Sequence, residues 1–105
     1  MKFTTLIPTT RNDGTEVEPA VLKRIIRSLW RPFRGGTKEG IVTGHWTDDD
    51  GTEFTDVCEK VSIECGRSRL PEAIQAVKRI GRKLGQRAMY FEVSGYDGVQ
   101  FLRIA

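Results

Sequence analysis

At 105 residues the chain fits one domain, 1–105, long enough to bury a core. Its 38% hydrophobic and 30% charged residues, with five Phe, two Trp and two Tyr, exclude a disordered chain. The net charge of +3 hides a partition. Residues 18–36 hold Lys23, Arg24, Arg27, Arg31 and Arg34 against Glu18, and residues 66–87 hold seven cations against Glu72, so the remainder sums to −7.

Lys2–Pro8 is β-branched and aromatic, which predicts a first strand stopped by Pro8. Thr9–Glu16 reads as a loop around Asn12-Asp13-Gly14. A helix is expected from Glu18, with Pro19 in its first turn. Its apolar stripe is Leu22, Ile25, Ile26, Leu29, Trp30 and Phe33, and Pro32 and Gly35-Gly36 end it. Ile41–Thr47 reads as a second strand, Asp48-Asp49-Asp50-Gly51 as a hairpin turn, and Thr52–Cys65 as a long, bulged third strand. Gly66–Leu70 offers Ser68 as a cap for a second helix, which begins at Pro71, runs to Leu84 and stops at Gly85. Its buried stripe reads Leu70, Ala73, Ile74, Val77, Gly81 and Leu84. Ala88–Ser94 and Val99–Ile104 flank a turn at Gly95-Tyr96-Asp97-Gly98 and read as a terminal hairpin.

This order, β-α-β-β-α-β plus a final β, predicts an α+β, ferredoxin-like domain with an extra C-terminal edge strand. Right-handed crossovers place both helices on one face of an antiparallel sheet, over Phe3, Ile7, Val61, Ile63, Phe91 and Val93. The other face is left with Leu6, Trp46, Phe54, Cys58 and Tyr90. An exposed apolar sheet face marks an interface, so a homodimer through Leu6, Trp46, Phe54 and Tyr90 is expected. Cys58 and Cys65 are seven residues apart on one strand, about 23 Å at ~3.3 Å per residue, too far for a disulfide. They fall on opposite faces, Cys65 toward the core, and read as two reduced thiols, with a reactive thiol or an intermolecular bridge at Cys58 as the alternative.

Arg24, Arg27, Arg31 and Arg34 recur at spacings of three and four, and Lys78, Arg79, Arg82 and Lys83 gather at the end of the second helix. Such a ridge suits phosphate contacts, with the Gly35-Gly36 backbone free to approach a phosphate; a solvated polar face is the competing reading. The acidic turn reads as solvated, with Asp48, Asp50 and Glu53 as secondary metal candidates, because consecutive Asp residues diverge along an extended chain. His45 is the sole histidine and the secondary catalytic candidate, with Asp56 or Glu59 as orienting carboxylate. Tyr90 and Tyr96 are aromatic groups able to reach a ligand. No phosphate-binding loop, dinucleotide fingerprint or Cys/His metal cluster is present, and no cofactor is expected.

Gly44 and Trp46 in the strand, Gly51 in the turn and Gln86 before the penultimate strand make a pattern that resembles small uncharacterised bacterial ferredoxin-like α+β domains. The resemblance covers the C-terminal two-thirds and implies a fold without an activity. MKFTTLIPTT lacks a leader's apolar stretch and cleavage site, and no apolar run approaches the roughly 18 residues of a span, so a cytoplasmic protein without a membrane partner is expected. The leading functional expectation is an accessory binding protein whose basic helices meet nucleic acid or an acidic protein. The alternatives are a small dimeric α+β-barrel enzyme using His45 in a pocket between sheets lined by Trp46 and Tyr90, and an assembly protein with no ligand.

Overall fold

The computed structural model describes residues 1–94 and 98–104 and, for 98–101, the backbone alone. The predicted turn at Tyr96 lies outside the described residues. Five strands, Lys2–Pro8 (β1), Thr37–Thr47 (β2), Glu53–Glu64 (β3), Ala88–Ser94 (β4) and Gly98–Arg103 (β5), make one antiparallel sheet in the order β2-β3-β1-β4-β5. Two helices, Pro19–Trp30 (α1) and Leu70–Lys83 (α2), share one face of it.

The shared face follows from side-chain parity. Phe3 pairs with Ile63 and Val93, and Thr5 with Val61 and Phe91. Paired residues share a face in an antiparallel ladder, so these rows turn together toward the helices. Phe3, Ile7, Val61, Ile63, Phe91 and Val93 are all buried against Ile25, Ile26 and Leu29 of α1 and Ala73, Val77 and Ile80 of α2. Phe3 lies between Phe33, edge-on at 5.5 Å, and Phe91, stacked at 5.4 Å. Each such pair contributes about 0.5–1.5 kcal/mol beyond its area.

Several local expectations change. Strand β2 begins at Thr37, four residues early, and the irregularity expected in β3 lies in β2 between Lys38 and Gly40. Polar residues on an edge strand carry no period-2 signal, yet Lys38 and Glu39 reach Glu59 and Ser62 of β3. Ser68 does not cap α2; it sits in a 3-10 turn over Arg67–Arg69. Ala76 and Ile80 join the buried side of α2, while Ile74 is only half-buried.

Two glycines are required by close packing. A Cβ on Gly36 would lie 2.9 Å from Trp30 Cβ and 3.1 Å from Ile63 Cγ1. That glycine seats the chain against the core. A Cβ on Gly81 would lie 2.8 Å from Met89 Cγ and 3.0 Å from Ile104 Cδ1, so its absence lets β4 press onto α2. Among the described residues no helix is long and apolar enough to cross a membrane.

Candidate functional site

The sheet face away from the helices is concave. It encloses a cavity of about 470 Å³ whose walls come from all five strands. From β1 come Leu6 and Pro8, and from β2 Gly44 and Trp46. Asp56 and Cys58 belong to β3, Ala88 and Tyr90 to β4, and Arg103 to β5. All are out-facing members of the alternation that buries Phe3, Ile7, Val61 and Phe91 on the other side, Arg103 through its pairing with Ala88.

Charge joins the two sides of the cavity. The β2–β3 turn reaches the far side of the sheet, where Asp48 Oδ2 accepts a hydrogen bond from Arg87 Nη1 at 2.5 Å. Arg103 approaches Asp48 at 3.8 Å and Asp49 at 3.6 Å. The Arg87 guanidinium also lies over the Phe54 ring, 5.5 Å from its centroid. The acidic turn expected to be solvated is therefore a clasp. The Asp49 backbone N–H and the Arg87 side chain together hold the Asp48 carboxyl below its usual range. The Thr52 hydroxyl and amide do the same for Asp50, which closes the turn. These bonds leave the turn's carboxylates divided between partners, and no cluster of three metal-type ligands exists among the described residues.

Inside the cavity the polar groups are few and fixed. Trp46 stacks on Phe54 at 4.6 Å, and its Nε1–H donates to Asp56 Oδ2 at 3.0 Å. Gly44 stands opposite Asp56 in the ladder and has no side chain to fill the space before it. Burial, and secondarily the Asp56 charge, pushes the Cys58 thiol up to about 12, so it is neutral and unreactive at pH 7. Both cysteines are free; Cys58, not Cys65, is the more buried one and forms cavity wall, while Cys65 is half-buried at the other end of the strand. Burial and the neighbouring Glu92 carboxylate raise the Tyr90 phenol, which therefore stays protonated.

Leu6, Trp46 and Tyr90, read from sequence as a dimer patch, come together as cavity wall, with Phe54 behind Trp46. His45 is on the rim and exposed, its Nδ1 3.0 Å from Thr55 Oγ1. Neither expected carboxylate is its partner: Asp56 is engaged by Trp46, and Glu59 faces Lys38 at 3.5 Å. The cations of the predicted ridge, Arg24, Arg27, Arg31, Arg34, Arg79, Arg82 and Lys83, are exposed on the helical layer, with Lys78 half-buried; all lie across the sheet from the cavity. Sequence reasoning missed Met89, Arg87 and Arg103. The last two were visible only as cations flanking the final hairpin.

No protein-family model matches the chain, and no curated protein matches it. Solved structures do. A phage SAM lyase in complex with S-methyl-5'-thioadenosine aligns with a TM-score of 0.71 at 10% identity, covering 97% of this chain and 88% of that one. A phage SAM lyase in its apo state aligns with a TM-score of 0.68 at 11% identity, covering 97% and 87%. At such identity the likeness concerns the fold. It nevertheless corrects the leading functional expectation. The solved proteins that share this architecture are enzymes, and this chain's concave site is walled by the sheet, away from the basic helices. An accessory protein acting through those helices gives way to the pocketed α+β alternative.

Proposed function

We propose that the chain is a small enzyme of ferredoxin-like topology that binds S-adenosylmethionine in the sheet cavity and releases S-methyl-5'-thioadenosine from it. The observation that carries this reading is the cavity itself. It is largely apolar, about 470 Å³, and within the roughly 300–1,000 Å³ of small-molecule sites. It occurs in a chain whose architecture matches that of a phage SAM lyase over nearly its whole length. The strand order with β1 between β3 and β4, and β2 outermost, supports the ferredoxin-like assignment.

The lining suits a thionucleoside. Tyr90 offers a ring face on which a purine stacks, and Leu6, Ala88 and Met89 suit a methylthio group. In the proposed reaction the bond between the sulfonium sulfur and the γ-carbon breaks. The bonding pair stays on sulfur, which becomes a neutral thioether. The γ-carbon is then satisfied within the substrate, by its own carboxylate or by loss of a β-proton, and no water is consumed. The protein's part is to fold the substrate for that step and to keep water out. Calorimetric titration with S-adenosylmethionine and with S-methyl-5'-thioadenosine tests the binding. Both are expected to bind, and Tyr90→Ala to weaken both at least tenfold. Absence of heat with either ligand on the folded protein overturns the reading.

A further inference from the structure

Resting on that reading of the site, we infer that Asp56 is its specificity-determining residue. Together with Trp46 it selects a ligand whose sulfur carries a positive charge over one whose sulfur is neutral. Asp56 is the one carboxylate among the cavity-lining residues described, and it is held rather than loose, with Oδ2 taking the Trp46 indole N–H at 3.0 Å. Phe54, stacked on the far side of that indole at 4.6 Å, holds the ring in place. One wall therefore presents an anion beside an aromatic face. That pairing favours a sulfonium or ammonium, by charge attraction to the carboxylate and by the ring quadrupole. A neutral thioether gains from neither.

Two further observations place this charge where it counts. Gly44, opposite Asp56, leaves the space in front of the carboxylate open to the cavity. The cavity's guanidinium, Arg103, is drawn to the rim by Asp48 and Asp49 and does not neutralise Asp56. When the carbon–sulfur bond breaks, the sulfur loses its charge. The same carboxylate then holds the thioether product less tightly than it held the substrate, which favours product release.

The test compares S-adenosylmethionine, S-adenosylhomocysteine and S-methyl-5'-thioadenosine on the wild-type protein and on Asp56→Asn. The asparagine keeps an acceptor for the Trp46 N–H and removes only the charge. Wild type is expected to bind S-adenosylmethionine at least tenfold tighter than S-adenosylhomocysteine, which differs by one methyl and one charge. Asp56→Asn is expected to remove that preference, weakening S-adenosylmethionine ten- to a hundredfold and S-methyl-5'-thioadenosine less than threefold. In turnover KM rises by the same factor while kcat stays within threefold. The ligand comparison on wild type stands even where the variant folds poorly. Equal loss of both ligands in Asp56→Asn would assign Asp56 to the nucleoside and overturn the inference, as would equal binding of S-adenosylmethionine and S-adenosylhomocysteine to wild type. If wild type binds none of the three, the functional reading falls with it.

Discussion

Glu59 is the position where the fold carries an uncompensated cost, and replacing it should stabilise the protein. Its side chain projects from β3 on the helix-covered face, between Ile7 of β1 and Ile41 of β2. The residue is 8% exposed, and its Oε2 has no hydrogen-bond partner among the described residues. Its Oε1 has only Lys38 Nζ at 3.5 Å, on a lysine side chain that is 64% exposed. An orphaned buried acceptor costs about 1–3 kcal/mol. A pair with so exposed a lysine returns about 0–1 kcal/mol. Glu59→Met removes the first and forfeits the second, for a net gain of about 1–2 kcal/mol, or about 5–10 °C in Tm for a domain near 100 residues. Equilibrium unfolding in urea measures it. Lys38→Met should destabilise the wild type yet leave Glu59→Met unchanged, since the lysine matters only while the carboxylate is there. A Glu59→Met midpoint below that of wild type would refute the reasoning.

Further predictions concern the clasp, the thiol and the helix–strand contact. Asp48→Asn or Arg87→Ala should loosen the β2–β3 turn from the final strands, weakening ligand binding several-fold in calorimetry without unfolding the core. Because the folded Asp48 carboxyl lies below its unfolded value of 3.8, its stabilising share is present above that pH and is lost as pH falls through the folded value; Asp48→Asn should flatten the acid limb of a stability–pH profile. For Cys58 the sign reverses. The folded thiol titrates at about 12 against 9.0 when unfolded, so its share is intact below about pH 9 and is lost as pH rises toward 12, and at pH 8 iodoacetamide should label Cys65 well before Cys58. Gly81→Ala should lose about 1–2 kcal/mol in urea unfolding despite the ~1 kcal/mol that alanine adds to a helix, because its Cβ meets Met89 and Ile104 at 2.8–3.0 Å.

Periodicity carried the architecture in this chain. Alternation in β1, β3 and β4, and the 3.6-residue stripe of α1, are local signals: the six strand residues they named under the helices are buried, as are Ile25, Ile26 and Leu29, while Leu22, Trp30 and Phe33 are partly buried. Parity also placed His45 and Trp46 on opposite faces and grouped Leu6, Trp46 and Tyr90. What stayed illegible was curvature. A flat sheet would offer those aromatics as a patch, whereas here they line a cavity whose sides are joined by Asp48 and Arg87, 39 residues apart in sequence. No spacing rule links an acidic turn to arginines that flank a later hairpin. The opposite charge of the two segments was the only trace. The close packing at Gly36 and Gly81 was illegible for the same reason, since their lack of a side chain answers to neighbours from other elements, although Gly81 was rightly placed on the buried side of its helix. The cations of α1 and α2 drew attention by number, yet a charge run on an amphipathic helix is first of all the side that faces water.

The most direct measurement is chromatography of the nucleoside products after S-adenosylmethionine is incubated with purified protein and no methyl acceptor. S-methyl-5'-thioadenosine should form in proportion to enzyme and time, and Trp46→Ala should abolish it while the folded state survives. Intact S-adenosylmethionine after prolonged incubation with well-folded protein, or S-adenosylhomocysteine as the product, would contradict a carbon–sulfur cleavage in the sheet cavity.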